Sequence, residues 1–480
     1  MDATTVAPAG APGWPAPQEF RNIRVHMVGI AGSGMSGLAA VLLHHGACVS
    51  GSDRNAGAIL RRLERSGARV TSTQSAESVP ADADLIVASA AIPPDHPELV
   101  AARRRGLHVI KYAQLLGALM GQRDGLAIAG THGKSTTTAW LAFALRRAGL
   151  DPSFVVGAEC EQLGGGSGVG EGRHFLAEAC EYDRSFLHLR PKAAAVLNIE
   201  EDHLDYYGDL NAICDAFAQF VELLPPDGLL VSNAHDPRCQ QVRAGCAAKV
   251  ETFGWTARAT WSALNLRAPR GLYEFTLMHG SRRLGRVALG IPGRHNVLNA
   301  LAVVALARFA GVPWDVLVDA LGEFRGARRR LELRGELQGV RVADDYAHHP
   351  TEIRATLRAA RERYQPRRLW CVFQPHQHSR TRFLLEDFAR SFAAAERVIV
   401  PDIYFVRDSE RERALVSAAD LVQRINAAGG CAVHLPQTGD IVDLLLREAQ
   451  AGDLVLTMGA GDIYKVADEL VARLRSDRAA

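Results

Sequence analysis

"AIAGTHGKSTTTAWLAFAL", residues 127–145, decides the fold. An apolar run from Gly125 enters a loop containing Gly130 and Gly133, and Lys134 and Ser135 follow. A threonine-rich, then apolar tail reads as a helix. A strand that breaks at glycine and passes directly into a helix is the repeating unit of a parallel α/β sheet. The backbone N–H groups from Gly130 to Lys134 can wrap a phosphate chain. Lys134 can reach its outer phosphates, and the Ser135 hydroxyl can ligate magnesium. The loop is one glycine short of the common phosphate-cradle pattern, which needs glycine where this chain has Ile128. The bland alternative is a glycine-broken helix start with an exposed lysine. Gly-Lys-Ser between a strand and a helix argues against it.

Magnesium at such a loop needs oxygen ligands. "FLAEACEYD" offers Glu178, Glu181 and Asp183 at a strand end. "NIEEDHLDYYG" offers Glu200, Glu201, Asp202, His203 and Asp205. Most of these carboxylates also fit solvated loop charges, and spacing alone does not make His203 a ligand.

Upstream, "VGIAGSGMSGLA" sets Gly32-x-Gly34-x-x-Gly37 between a strand and a helix. These glycines allow a tight turn and close backbone approach, and the helix N-terminus attracts phosphate. Asp53 ends the next strand, where a carboxylate can accept ribose hydroxyls. Read alone, this loop leaves three options open: a nicotinamide dinucleotide, a uridine diphosphate sugar, or a turn with no ligand.

The chain has 480 residues, enough for about two to four domains. With 48% hydrophobic and 22% charged residues it reads as a soluble globular protein. A net charge of +2 argues against a dedicated nucleic-acid binder. Arg325, Arg328, Arg329 and Arg330 form a local basic cluster, either an anion site or a solvated face. Eight scattered cysteines without a C-x-x-C pair suit reduced thiols in a cytoplasmic protein. Residues 1–20, rich in Ala and Pro, read as a flexible tail and not as a signal peptide. No apolar run is long enough to span a membrane.

Further along, "CVSGSD", "ADLIVASAAI", "KAAAVLNIE", "DGLLVSNAHD", "VRVADDYAHHP", "RRLWCVFQPH", "RVIVPDIY" and "DLVLTMGAGD" read as strands alternating with helices. Arg267–Leu289 alternates as an antiparallel hairpin does. "GGGSG" at 164–168 reads as a glycine-rich loop, and the basic stretch "FRGARRRLELRGELQG" as a domain junction.

Taken together, "GTHGKSTTT", "NIEEDHLD", "GRHNVLNALA", "RRLE" and "DDYAHHPTEI" resemble the Mur ligases of peptidoglycan synthesis, in matching order from about Arg24 to Lys465. "GIAGSGMSGLA", the histidine of "GTHGKS", "FQPHQHSRTR" and "TMGAGDI" are most similar to members that add a single L-alanine. The resemblance implies an α/β protein of three domains. Residues 21–121 would form a Rossmann-like domain for a UDP sugar. Residues 122–327 would form a central P-loop ATPase domain with a mostly parallel sheet. Residues 328–480 would form a Rossmann-like domain for the amino acid. It implies an ATP-dependent ligase joining L-alanine to the lactyl carboxylate of UDP-N-acetylmuramate through an acyl phosphate. Magnesium is the implied cofactor, as two ions, and a monomer or weak homodimer the expected state.

By that resemblance, the ATP site comprises Gly130, Thr131, His132, Gly133, Lys134, Ser135 and Thr136, with Asn296 and Asn299 on the adenine side. Arg330 and Asp345 resemble contacts to the phosphates and ribose. Ser135, Glu178 and His203 resemble the metal ligands. Gly32, Gly34, Met35, Ser36, Gly37 and Asp53 would hold the UDP sugar. Tyr346, His348 and Arg380 would surround the amino acid, with His348 a candidate proton acceptor. Two positions depart from the family. Gln377 stands where an arginine is common, and Cys180 where an aspartate is. A small buried core cysteine is the favoured reading of Cys180. His348-His349 and His376-x-His378 read as hydrogen-bonding histidines more readily than as a zinc site. Three rivals stay open: a ligase joining a whole tripeptide to the same sugar, a nicotinamide dehydrogenase resting on the first glycine loop, and a non-catalytic nucleotide-binding regulator.

Overall fold

The computed structural model describes residues 20–54, 57–406 and 408–476. Most of the expected N-terminal tail lies outside these residues. Phe20, assigned to that tail, is instead a buried side chain.

Three sheets follow one another along the chain. The first contains β1 (Arg24–Val28), β2 (Cys48–Ser52), β3 (Arg69–Thr71), β4 (Leu85–Ala88) and β5 (His108–Lys111). All pair in parallel, in the order β3-β2-β1-β4-β5. Val25, Met27, Val28, Ile86 and Val87 are fully buried, as strands covered on both faces require. Strand order reverses between β1 and β4, so the first glycine loop, which follows β1, opens at the switch point of the sheet.

The second sheet has ten strands. They are β6 (Asp124–Ala129), β7 (Ser153–Val155), β8 (Ser167–Gly168), β9 (His174–Ala179), β10 (Ala193–Val196), β11 (Leu229–Asn233), β12 (Lys249–Gly254), β13 (Trp261–Arg267), β14 (Leu272–His279) and β15 (Arg282–Pro292). Their order is β15-β14-β13-β12-β11-β10-β6-β9-β7-β8. β6 pairs in parallel with β10 on one side and β9 on the other. That arrangement puts the second glycine loop at another switch point, beside the acidic end of β9. β14 and β15 form the antiparallel hairpin that the alternation predicts. Part of the expected glycine loop is the short strand β8, antiparallel to β7.

The third sheet holds β16 (Glu332–Leu337), β17 (Val340–Asp345), β18 (Leu369–Phe373), β19 (Arg397–Val400), β20 (Ala432–His434) and β21 (Leu454–Met458). Its order is β16-β17-β21-β18-β19-β20. The basic stretch read as a junction is therefore only partly one. Its second half is β16, an edge strand antiparallel to β17, whose charged side chains alternate with Leu333, Gly335 and Leu337. Period-two alternation is clearest in β18. Leu369, Cys371 and Phe373 enter one core with Leu357 and Phe388, while Trp370 and Val372 enter the other with Ile441 and Leu470. Each large side chain buried this way contributes about 1.5–3 kcal/mol.

By packing, the chain divides into two units. One comprises the chain up to Glu200 with 210–262 and 299–320, and the other 201–209, 263–298 and 321 onward. No described helix is long and apolar enough to cross a membrane. All eight cysteines are free thiols.

Candidate active site

The second glycine loop belongs to the first unit. β6 ends at Ala129 with no exposed side chain over its last four residues. Gly130 then takes φ +138° and Gly133 φ +86°, conformations that L side chains rarely adopt. Gly133 caps the helix Lys134–Arg147, and a Cβ there would stand 2.8 Å from Asn299 Oδ1. The residues after β10 fix the loop from outside. Thr131 N–H donates to the Asn198 carbonyl (3.0 Å) and His132 N–H to Asn198 Oδ1 (2.8 Å). Asn198 Nδ2 returns a bond to the His132 carbonyl, and Glu200 N–H donates to Thr131 Oγ1 (2.8 Å).

Lys134 does not hang free in this cradle. Its Nζ donates to the Gly130 and Thr131 carbonyls and to both carboxylate oxygens of Glu181, at 3.0 and 2.9 Å. Burial alone would lower the Lys134 pKa, but the Glu181 carboxylate outweighs it and the net shift is upward. Ser135 Oγ donates to Glu178 Oε2 at 3.1 Å, and Gly157 N–H donates to the other Glu178 oxygen. Two oxygen donors from separate elements thus stand side by side next to a fixed ammonium. That donor set fits a hard cation such as magnesium.

Cys180 corrects the expectation of a buried core residue. It is exposed, because β9 stops at Ala179 and Cys180 projects beyond the layered core.

The first glycine loop, also in the first unit, is built differently. Gly32, Gly34 and Gly37 all lie outside the positive-φ region. They are small for space. A Cβ on Gly34 would stand 2.7 Å from the Tyr112 hydroxyl, and one on Gly37 3.0 Å from Ser167 Cβ. Met35 and Ser36 are buried in the first turn of the helix Ser33–His44. Asp53 Oδ2 accepts the Ala31 N–H at 3.0 Å, bracing the loop.

The second unit carries the remaining expected residues. Arg380 and Asp202 form a buried pair, with Nε and Nη2 donating to Asp202 Oδ1 at 3.0 and 2.9 Å. Burial would raise the Asp202 pKa, but Arg380, aided by His203, holds it well below the usual carboxylate range. His203 adopts φ +52° and starts a short helix, Leu204–Tyr207. Gln377, buried and at φ +76°, donates to Asp205 Oδ2 at 3.4 Å. His376 Nδ1 lies 3.3 Å from Arg380 Nη1, and His349 Nε2 3.0 Å from the Glu201 carbonyl. Tyr346 meets His348 edge to face, with ring centres 5.5 Å apart. Burial pushes the His348 pKa down to about 4, so the ring is neutral at neutral pH. Its Nδ1 sits 3.1 Å from the Tyr346 carbonyl, which can only accept. Nδ1 therefore carries the hydrogen, and Nε2 keeps the lone pair.

Asp345 is buried and accepts N–H bonds from Leu331 and Ala347 at 2.7 and 2.8 Å. Burial raises its pKa to about 6 against the pull of Arg330. The Arg330 guanidinium lies 5.2 Å from the Tyr346 ring centre. Asn296 donates to the Pro292 carbonyl at 2.7 Å. Arg329, read from the sequence as part of a basic cluster, braces the strand ends. It donates to Asp344 (2.8 Å) and to the Gly459 and Gly461 carbonyls.

Sequence reading also passed over Asn198 as the brace of the second loop and Glu181 as the specific partner of Lys134. Asparagine beside a strand end is a common loop residue and gives no signal. Glu181 was one of several acids with nothing to rank it.

Three family models match the chain: "Mur ligase family, catalytic domain" over 24–124, "Mur ligase middle domain" over 128–307, and "Mur ligase, glutamate ligase domain" over 329–461. A UDP-N-acetylmuramate–L-alanine ligase of Pelotomaculum thermopropionicum is 45% identical, covering 95% of this chain and 98% of its own. One from Caldanaerobacter subterraneus subsp. tengcongensis is 41% identical, covering 93% and 97%. Among solved structures, the UDP-N-acetylmuramate-alanine ligase of Thermotoga maritima superposes with TM-score 0.81 at 27% identity, covering 95% of this chain and all of that one. A murein peptide ligase from Psychrobacter arcticus gives TM-score 0.72 at 26% identity, over 94% and 99%.

Proposed function

Because the chain belongs to the Mur ligase family, we propose that it joins L-alanine to the lactyl carboxylate of UDP-N-acetylmuramate at the expense of ATP. One observation carries the ATP half: Lys134, Ser135 and Glu178 converge at the carboxyl ends of β6 and β9. The identity of the two other substrates rests on relatives of 40–45% identity that share this activity by name.

In this reading the lactyl carboxylate takes the γ-phosphoryl group of ATP, and ADP leaves. Carboxylate and triphosphate repel each other, so the reaction depends on neutralising charge and on in-line geometry. Lys134 supplies one positive charge, turning from Glu181 to the phosphates. Ser135 and Glu178 would hold magnesium, which would supply further charge neutralisation, and His203 would hold a second ion. The acyl phosphate is then attacked by the amine of L-alanine, and phosphate leaves the tetrahedral intermediate as the amide forms. The alanine amine must be neutral to attack. His348 Nε2, with its lone pair kept free, takes the proton released as the new bond forms. Arg380, fixed by Asp202, orients the carboxylate of the amino acid. The setting is peptidoglycan precursor synthesis in the cytoplasm.

The test is phosphate release from ATP with UDP-N-acetylmuramate and, in turn, L-alanine, glycine, L-serine and a tripeptide. L-Alanine should give the highest kcat/KM. A preference for the tripeptide would replace this reading with the wall-peptide-recycling one. NADH oxidation without phosphate release would replace it with the dehydrogenase.

A further inference from the structure

Tyr112 is the first residue of the helix Tyr112–Met120, directly after β5 of the first sheet. Its hydroxyl fills the space left by Gly34 in the first glycine loop. The charge of Glu178, on the second sheet, acts on this hydroxyl. Tyr112 thus lies beside the loop assigned to the sugar nucleotide and within the field of the carboxylate assigned to the metal. The hydroxyl makes no hydrogen bond to any described residue, although the ring is half-buried.

The helix that carries it is fixed to the second sheet's side of the unit. Lys111, immediately before Tyr112, forms an ion pair with Asp183, and its N–H donates to Gln114 Oε1 at 2.8 Å. Gly117 packs on backbone: a Cβ there would lie 1.9 Å from the His188 carbonyl oxygen. The helix that carries the ring is therefore fixed before any ligand arrives. A donor carried on a fixed helix, beside the first glycine loop and with no acceptor among the described residues, fits an anionic oxygen of a ligand.

We infer that the Tyr112 hydroxyl donates to an anionic oxygen of the sugar nucleotide and holds that substrate between the first glycine loop and Glu178. Resting on the function proposed above, this adds a substrate-contacting residue to it. Two groups of the sugar nucleotide share the required chemistry, the diphosphate and the reacting carboxylate, and kinetics separates them.

Tyr112→Phe keeps the ring and removes only the donor. If the hydroxyl meets the diphosphate, KM for UDP-N-acetylmuramate rises about ten- to a hundredfold with kcat unchanged. If it meets the carboxylate, kcat falls by a similar factor while KM holds. Either result supports the contact, provided KM for ATP and the melting temperature stay at wild-type values. Unchanged kinetics overturns it. So does a loss spread equally over all three substrates, or a lowered melting temperature, since both describe a packing role. Calorimetric binding of UDP-N-acetylmuramate to wild type and variant needs no turnover. A chain that binds the sugar nucleotide but does not ligate L-alanine would refute the function while leaving Tyr112 testable. Equal affinity of wild type and Tyr112→Phe would then overturn the contact.

Discussion

The two glycine loops of the first unit resemble each other in sequence and differ in what their glycines do. In the first loop, Gly34 and Gly37 keep ordinary backbone angles and serve as gaps for Tyr112 and Ser167. In the second, Gly130 and Gly133 hold positive φ, so the backbone itself bends to form the cradle. Charge divides them further. The first loop is braced by Asp53 through a backbone N–H, whereas the second carries Lys134 and Ser135 tied to Glu181 and Glu178. A loop that only holds a substrate needs room and N–H groups. A loop that must also stabilise charge moving between phosphates needs a cation and metal ligands in fixed places.

Lys134→Ala is the strongest way to break this contrast. It should lower ligation at least about a hundredfold while leaving UDP-N-acetylmuramate binding intact, read by phosphate release and by calorimetry. Substantial turnover by this variant would show that the second loop binds without catalysing.

Gly133→Ala comes next. A side chain at φ +86° beside Asn299 costs about 1–3 kcal/mol in strain, so ATP affinity should fall by about ten- to a hundredfold. Titration with a non-hydrolysable ATP analogue reads it. An unaffected ATP affinity would place the conformational demand elsewhere.

Glu181→Gln sharpens the picture. Removing the carboxylate that holds Lys134 should strengthen ATP binding by up to about tenfold. The ligand-free protein should lose stability, by about 3 kcal/mol at most, because a buried ammonium loses its counter-ion. Melting curves with and without ATP check both signs together. Weaker ATP binding would mean that Glu181 works with the nucleotide and not against it.

Gly34→Ala should have the smallest effect. The intruding methyl meets the far end of the Tyr112 side chain, which can shift. KM for the sugar nucleotide should rise only about three- to tenfold, with ATP affinity unchanged. If Gly34→Ala damaged ATP binding more than Gly133→Ala, the contrast between space and conformation would fail.

How much of this could be read in the sequence follows the same division. Both loops were legible, since each lies between an apolar strand and a helix and its residue types are few. β17, β18 and β21 were legible as apolar runs ending in polar residues. β16 was not, because an edge strand with Glu332, Arg334 and Glu336 on it resembles a charged linker. The tie between Lys134 and Glu181 was hidden for a geometric reason. Asp183 and Arg184 both take left-handed angles just after it, and such a turn directs side chains in ways no periodicity encodes. Tyr112 was hidden because it belongs to one sheet's terminal helix and faces residues of another. Cys180 was misjudged because its small apolar character suits a core, whereas its position one residue past β9 does not.

The pairing of Lys134 with Glu181 also governs what the empty loop disregards. An unpaired ammonium at the start of a helix would collect small anions from solution, including the inorganic phosphate that ligation releases. With its charge already met by a carboxylate, the resting loop offers little to a monovalent or divalent ion. A nucleotide triphosphate, which brings several charges and its own metal, can displace the carboxylate where a single phosphate cannot. The pairing therefore favours a ligand that meets the loop at several points over the single phosphate that ligation releases.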